Sequence, residues 1–214
     1  MPRKPFTLIP KKMAAVIAAS LEEFSLYGYS HASTNRICVK AEVSKGALFH
    51  NFHSKENLFY FLIQDGLKTA EKVFRDQLAT ASSYETFEEY FVASFFVLLH
   101  YVRDHPHHYN IYLRLIYDPD IPIRERAKAR RVVKIFTTSI SRALYHEGRR
   151  RSLLRAELSD AMVDFLFNTV ITRFVELVYF PMRDPGIGLH TKNEEELREH
   201  ILIIYRMIMQ GLSD

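Results

Sequence analysis

The sequence has little of what tight turns, disulfide bridges and membrane spans require. Its 214 residues include seven Gly and eight Pro, against sixteen Phe and twelve Tyr. Few turn formers and many bulky side chains favour helices. The one cysteine, Cys38, cannot form an intramolecular disulfide, and the first residues contain no apolar signal segment. No run approaches eighteen uncharged apolar residues, so we expect a cytoplasmic protein without a membrane span.

Excess positive charge is confined to the first quarter of the chain. Residues 1–55 contain eight basic and three acidic side chains, a net charge of +5, whereas the remainder carries −1. A basic segment of this kind favours contact with a polyanion such as DNA. A randomly basic surface would spread the charge more evenly along the chain.

Apolar residues recur at three- and four-residue steps, which predicts helices along the whole chain. The first four are expected at about residues 10–27, 35–41, 45–51 and 54–78. Gly28 suits the end of the first helix, Ser33 or Thr34 the cap of the second, and Ser44 the cap of the third. Three helices in so few residues, two of them joined by a three-residue turn, have the proportions of a helix-turn-helix unit.

The rest of the sequence keeps helical spacing and shows no sustained alternation typical of a strand. Short segments rich in Pro, Gly or Ser separate the predicted helices. We therefore predict an all-α fold, in which an N-terminal three-helix unit is joined to a larger helical body. The predicted domains are residues 1–54 and 55–214, with the helix from Lys55 as a rigid connection.

The run from residue 32 to 59 contains a specific motif within this pattern. Its marks, with those just before it, are Phe24, Gly28-Tyr29, Thr34, Ile37 to Ala41, Val43 to Gly46, Leu48-Phe49, Phe52, Ser54 to Glu56 and Leu58-Phe59. The run closely resembles the DNA-binding motif of the TetR family of bacterial transcriptional regulators. The resemblance is strong over about residues 10–60 and elsewhere rests on helix lengths alone.

The resemblance implies a ligand-responsive homodimer that binds a palindromic operator in double-stranded DNA. It further implies repression that a small, largely apolar effector relieves, with DNA binding in residues 1–54 and effector binding and dimerisation in residues 55–214. A DNA-bound protein of this type is associated with the bacterial nucleoid. The competing interpretation is a helical small-molecule-binding or interaction protein without sequence-specific DNA binding.

Helix starts give a physical reason for DNA binding that does not depend on the family. Free N–H groups at a helix start attract phosphate oxygens, and helices two, three and four begin at Thr34, Lys45 and Lys55. Small residues at the start of helix three allow close approach to the major groove, where His50 and Asn51 are expected to point outward. The predicted DNA-contacting residues are Thr34, Asn35, Ser44, Lys45, Gly46, Ala47, Phe49, His50, Asn51 and Lys55.

Two positions depart from the family pattern. Phe49 stands where family members often have Tyr, so a hydroxyl contact to phosphate is absent and more of the binding should fall on Lys45, Lys55 and backbone N–H groups. Glu42 replaces the usual Gly of the turn. It must either adopt a positive φ, which is unfavourable for a residue with a Cβ, or form a different turn.

The larger body is expected to dimerise and to bind the effector. Its most apolar helices, predicted at about residues 161–180 and 197–209, resemble the helix pair with which family members dimerise. The predicted effector-binding residues are Phe95, Phe96, Leu99, Tyr109, Tyr112, Phe136, Phe165, Asn168, Thr172 and Arg173. A polar stripe, defined as Asp164, Asn168, Thr172 and Glu176, either hydrogen-bonds across the dimer or forms the polar end of the ligand pocket.

Other patterns do not predict chemistry. Four histidines near residue 105 match no ligand spacing for a metal, and an exposed connection explains them better. Cys38 has no evident base beside it, which favours a buried thiol. The sequence lacks a phosphate-binding glycine loop, a nucleophile elbow and a zinc-protease helix, so we expect no enzyme activity, no metal and no cofactor.

Overall fold

The computed structural model describes residues 8–79, 83–118, 120–121 and 138–212 of the chain. Within these ranges the regular structure is helical and no strand occurs, as the hydrophobic spacing predicts. The α-helices are α1 Pro10–His31, α2 Thr34–Ala41, α3 Lys45–Phe52, α4 Lys55–Leu78, α5 Phe87–Asp104, α6 Pro106–Tyr117, α7 described over residues 138–150, α8 Asp160–Tyr179 and α9 Glu194–Leu212. No helix in the described ranges combines the length and apolarity that crossing a membrane requires.

The chain divides into two compact units. The first comprises Met1–Thr69 and Asp104–Val133, and the second comprises Ala70–Arg103 and Lys134–Asp214. The first unit therefore contains α1, α2, α3 and α6 with most of α4, and the second contains α5, α7, α8 and α9 with the end of α4.

The start and the end of α1 follow from its sequence. Pro10 occupies the first turn, where its missing N–H has no intrahelical partner to lose. Gly28 has φ 72° and ψ 176°, so regular helix stops there, as the sequence predicts, and one further turn extends to His31. A built Cβ at Gly28 would lie 2.9 Å from Arg114 Nη1. Glycine is needed at this position for both reasons.

The turn between α2 and α3 has the strained conformation that the sequence raised as one of two possibilities. Glu42 adopts φ 52° and ψ 48°, in the left-handed region. Its N–H donates to the carbonyl oxygens of Cys38 and Val39, which closes α2. Lys12 Nζ donates to the Glu42 carbonyl oxygen at 3.1 Å and to its carboxylate at 3.0 Å. These contacts hold the turn against α1 and offset part of the backbone strain.

The core of the first unit joins the helix-turn-helix to α4 and α6. The rings of Phe24 and Tyr29 lie 5.0 and 5.1 Å from that of Phe59, centroid to centroid. Buried apolar side chains of this core on the first four helices include Val16, Phe24, Ile37, Ala41, Leu48, Phe52, Leu58, Phe59 and Leu62. Ile111 and Leu115 of α6 belong to the same core. A helix some fifty residues downstream thus completes the hydrophobic core of the motif.

Polar contacts fix α6 against α1. Arg114 donates from Nε to the Ser25 carbonyl oxygen at 3.0 Å and from Nη2 to that of Leu26 at 2.9 Å. These carbonyls lie just before Gly28, where the helix break removes their intrahelical partners. At the other end of α6, His107 Nδ1 lies 2.7 Å from Ser25 Oγ.

The second unit is built around aromatic side chains of α5 and α8. The ring of Phe95 lies 5.0 Å from that of Phe91 and 5.4 Å from that of Phe174, in tilted and edge-on arrangements. Such pairs add about 0.5–1.5 kcal/mol beyond the area they bury. The Tyr179 hydroxyl donates to the Leu99 carbonyl oxygen at 2.7 Å, which links α8 to α5.

Candidate nucleic-acid interface

Serine side chains cap the three helix starts that the sequence singled out. Ser33 Oγ accepts from Arg36 N at 3.4 Å in α2, and Ser44 Oγ accepts from Ala47 N at 3.0 Å in α3. Ser54 Oγ accepts from the third N–H of α4 at 3.1 Å. Each cap uses one N–H group of the first turn and leaves others open.

The open N–H groups at the starts of α2 and α3 belong to four residues. Within the described ranges, no acceptor meets the N–H groups of Thr34, Asn35, Lys45 and Gly46. The N-terminal ends of these helices also carry the positive end of the helix dipole. These groups are therefore suited to bind phosphate oxygens.

The side chains predicted to contact DNA differ in exposure. Asn35, Ser44, Lys45, Gly46 and His50 are exposed, whereas Thr34, Ala47, Phe49, Asn51 and Lys55 are half-buried. Helical spacing places Lys45 and the first turn of α3 outward, because Leu48 and Phe52 bury the opposite face of that helix. The outward face of α3 is therefore short and basic.

Asn51 and Lys55 already have partners within the chain. Asn51 donates from Nδ2 to the Ala47 carbonyl oxygen at 2.8 Å, and its Oδ1 accepts from Leu8 N at 3.4 Å. The amide thus folds back along α3, whereas the sequence predicted that it points outward. Lys55 Nζ donates to the Ser30 carbonyl oxygen at 3.1 Å. Burial lowers the pKa of Lys55, and the neighbouring Glu23 and Glu56 carboxylates oppose that shift.

Two other basic side chains of the motif form ion pairs with carboxylates. Arg36 pairs with Glu23 and Lys40 pairs with Glu22, so both pairs connect α1 to α2. Lys45 differs from them, since it makes no ion pair in the described part of the chain. Its charge is the most available to a phosphate on this face.

Glu23 is a residue of the site that the sequence alone did not reveal. Its side chain is 8% exposed and accepts hydrogen bonds from Ser33 N–H at 2.7 Å and from Arg36 Nε at 3.0 Å. The available signal was its position, since Glu23 lies one helical turn after Ala19 and two after Val16 on the buried face of α1. An acidic residue on such a face requires a partner.

A segment of the first unit also matches a known family by sequence. Residues 16–60 match the model of bacterial regulatory proteins of the tetR family. This segment is similar to the DNA-binding segment of the TetR family. The resemblance predicted from the sequence is thus confirmed, and the match includes the capped starts of α2, α3 and α4. No curated protein matches the chain significantly in sequence.

Solved TetR-family structures share the fold of nearly the whole chain. A TetR-family transcriptional regulator from Chloroflexus aurantiacus J-10-FL is 21% identical, with a TM-score of 0.70, over 98% of this chain and 96% of that one. A putative TetR-family regulator from Mesorhizobium loti MAFF303099 is 16% identical, with a TM-score of 0.72, over 97% and 100%. The regulator FadR from Bacillus subtilis, solved in complex with stearoyl-CoA, is 16% identical, with a TM-score of 0.66, over 90% and 96%. The predicted all-helical TetR fold is confirmed by this likeness.

Three predicted effector residues lie on α5, in the second unit of the TetR fold. Phe95 and Leu99 are buried in its aromatic core. Phe96 is half-buried, and the guanidinium of Arg198 lies 5.6 Å from its ring centroid. Arg198 thus places one cation beside the Phe96 ring.

The other predicted effector residues are not on α5. Tyr109 and Tyr112 are on α6 of the first unit, with their rings stacked at 5.6 Å. Phe136 lies outside the described residues. Phe165 is 64% exposed, on the outward face of α8, whereas the sequence predicted it in a pocket wall.

The polar stripe of α8 has partners within its own unit. Asp164 Oδ1 accepts from Ser141 Oγ of α7 at 2.5 Å. The buried Glu176 carboxylate accepts from Arg173 Nη1 at 3.2 Å and from Arg183 Nη1 at 3.1 Å. The charges at both ends of the stripe therefore have hydrogen-bond partners within the chain. Neither of the two roles predicted from the sequence, a contact across the dimer or the polar end of a pocket, included these partners.

The histidines near residue 105 separate into different environments. His107 lies against Ser25, while His108 packs on Gly66 of α4 and has its pKa lowered by burial. His100 pairs with Glu194 in the second unit. In the part of the chain that is described, no group of three or more His, Cys, Asp or Glu side chains is arranged to hold a metal ion.

Proposed function

We propose that the protein is a homodimeric, ligand-responsive transcriptional repressor that binds a palindromic DNA operator and dissociates when a small, largely apolar effector binds. The observation that carries the proposal is the pair of capped helix starts at α2 and α3, with open N–H groups beside Lys45 inside the family match. Phosphate contacts would fix the helix-turn-helix unit on the duplex, and α3 would lie in the major groove.

Residues 1–54 are proposed to make the DNA contacts, and the helical body 55–214 to supply the effector site and the dimer interface. Within α3, His50 is exposed and positioned for a base edge. Asn51 would pair with adenine only after exchanging its hydrogen bond to Ala47.

Exposed apolar side chains on α8 and α9 support dimerisation. Met162 and Phe165 on α8, and Ile203 and Met207 on α9, are between 52% and 69% exposed. Each pair lies one helical turn apart, so each helix has an apolar outward stripe within the same unit. A two-fold axis through these helices would bury both stripes, and the resulting dimer would carry two DNA-binding units for the two halves of a palindrome.

Stearoyl-CoA is the first effector to test. The Bacillus subtilis structural neighbour was solved in complex with it, and another neighbour is described as a putative fatty acid metabolism regulator from Clostridium perfringens. In this chain, Arg198 supplies a cation beside the half-buried ring of Phe96. A cation next to an aromatic ring suits the anionic head of an acyl-CoA.

The proposed mechanism is a shift between two states of the dimer. In one state the two helix-turn-helix units of the dimer have the spacing that the operator requires, and in the other they do not. An effector that binds the second state more tightly lowers the population of the state that binds DNA. The helix α4, which runs through both units, would carry the change. Linkage then requires that operator DNA weaken effector binding by the same factor.

The decisive experiment selects bound duplexes from a random pool and measures affinity for the selected sequence and for a shuffled one at several salt concentrations. We expect a palindrome, a steep salt dependence for both duplexes and a marked preference for the selected sequence. Weak binding without sequence preference would contradict the proposal and favour a helical small-molecule-binding or interaction protein.

The effector proposal has its own measurement. Stearoyl-CoA should release the operator, and its affinity should be lower for the operator complex than for free protein. Coenzyme A without the acyl chain is the matched control, and it should release nothing. Equal stearoyl-CoA affinity with and without operator would reject this effector while leaving operator recognition intact.

A further inference from the structure

Glu23 lies where α1 meets the start of α2. Its carboxylate accepts from the N–H of Ser33, the capping residue of α2, and from the guanidinium of Arg36, one turn into that helix. Arg36 also donates to the His31 carbonyl oxygen at 3.1 Å, at the end of α1. One buried side chain therefore fixes both the entry and the first turn of α2.

This anchoring determines where the phosphate-binding groups of α2 lie. The open N–H groups of Thr34 and Asn35 directly follow Ser33, whose N–H is held by Glu23. Hydrogen bonds to charged groups are stronger than neutral ones and more strict in geometry. The position of these two N–H groups relative to α1 therefore depends on the Glu23 carboxylate.

The surroundings of Glu23 favour its ionised form. Burial opposes ionisation, but the hydrogen bonds from Arg36 and Ser33 and the charges of Arg36 and Lys55 outweigh it and lower the pKa of Glu23. The titratable and charged groups acting on this carboxylate are thus Arg36 from α2 and Lys55 from α4. A negative charge is maintained close to a surface proposed to bind DNA.

We propose that Glu23 is a positioning residue of the DNA interface, whose charge increases operator affinity although it repels phosphate. This inference rests on the proposed function. The gain comes from fixing the start of α2, and it exceeds the long-range repulsion because a buried, paired charge is neutralised by its neighbours.

Glu22 provides a matched control. It is adjacent to Glu23 in the sequence, has the same charge and also pairs with a cation of α2, Lys40. Its side chain is 39% exposed, however, and none of its hydrogen bonds goes to the backbone at the start of α2 in the described structure. Glu22→Gln and Glu23→Gln therefore remove the same charge, but only the second weakens the anchoring of α2.

Of the two variants, only Glu23→Gln should lose operator affinity. Removal of a negative charge near a polyanion strengthens binding through electrostatics, so Glu22→Gln should bind the operator as well as the unmodified protein or more tightly. Glu23→Gln should bind the operator about tenfold more weakly, the loss expected for one charged hydrogen-bond network. Its affinity for a shuffled duplex should be unchanged or higher, because nonspecific binding depends on the charge of the protein and not on a fixed position of the α2 N–H groups.

The test measures operator and shuffled-duplex affinities by fluorescence anisotropy for the full-length protein and both variants. Ethylation interference on the operator then identifies which phosphates each protein requires. Circular dichroism melting and stoichiometric titration give the folded, active fraction, so that partial unfolding is corrected for. A second variant, Glu23→Leu combined with Arg36→Leu, replaces the ion pair with apolar side chains and should keep the fold while losing operator affinity.

The outcomes separate this inference from the proposed function. Loss of operator affinity in Glu23→Gln alone, with one phosphate position no longer required, supports the positioning role. If Glu23→Gln binds like Glu22→Gln, or loses affinity equally for both duplexes, the positioning role is wrong. If the unmodified protein shows no sequence preference at all, the proposed function itself fails.

Discussion

Substitution of Lys45 by Gln tests whether the start of α3 binds phosphate. Each phosphate neutralised by a basic side chain contributes about 0.9 to the slope of log K against log salt concentration. Lys45 is exposed and makes no ion pair in the described part of the chain. Its loss should therefore reduce the slope by about 0.9 per protomer, or about 1.8 for a dimer on its operator.

The corresponding change in affinity is large enough to measure. Between 50 and 200 mM salt, a slope difference of 1.8 corresponds to about a twelvefold difference in how much affinity is lost. Fluorescence anisotropy with a labelled operator at five or six salt concentrations gives the slope directly. Because Lys45 is proposed to contact phosphate, the weakening at low salt should be similar for selected and shuffled duplexes.

Lys40→Gln is the control for this measurement. Lys40 has the same charge but is paired with Glu22, so we expect it to neutralise no phosphate and to release no counterion from the DNA. The slope should stay within error of that of the unmodified protein. If both lysine variants reduce the slope equally, the charge of the motif acts as a diffuse field and the assignment of a phosphate to the start of α3 is refuted.

Three further predictions concern stability and assembly. Gly28→Ala should lower the free energy of unfolding by about 1–3 kcal/mol in urea titrations, because alanine is strained at φ 72° and its Cβ would contact Arg114; no change would show that the break relaxes. Hydrogen bonds from Arg150, with those from Arg151, outweigh burial and lower the pKa of Glu147 to about 2. The ionised Glu147 therefore stabilises the folded state fully above about pH 4.5, and this contribution is lost as the pH falls towards 2. The free energy of unfolding of Glu147→Gln should be lower than that of the unmodified protein by up to about 3 kcal/mol at pH 7 and nearly equal to it at pH 2. Phe165→Glu should convert a dimer to monomers in analytical ultracentrifugation with unchanged helical content, and a dimer that persists would place the interface elsewhere.

Local chemistry explains why much of the fold could be predicted. Ser33 and Ser44 are placed by the need to cap short helices, and that need depends on neighbours within three residues. The predicted starts of α2 and α3 consequently fall within one residue of those observed. Gly28 marked a break for the same local reason, although the helix resumes for one turn beyond it.

The interactions that the sequence did not predict are hydrogen bonds of individual side chains, one within a helix and one between helices. Asn51 was expected to face DNA because helical spacing placed it outward, but its amide reaches back to Ala47. The Ser141 partner of Asp164 is on a different helix, 23 residues away. Spacing along one helix gives the face on which a side chain lies, but not the partner it finds on another helix.

Because α6 packs into the core of the first unit, the helix-turn-helix unit cannot simply be exchanged between proteins as a separate segment. Ile111 and Leu115 fill the same core as Phe24 and Leu48, and Arg114 caps the broken end of α1. A chimera that grafts residues 1–54 onto another helical body would lose Ile111 and Leu115. Side chains of the other protein would then have to fill their place in the core. Exchange of operator specificity between such proteins thus calls for transplanting two separate stretches of the chain together.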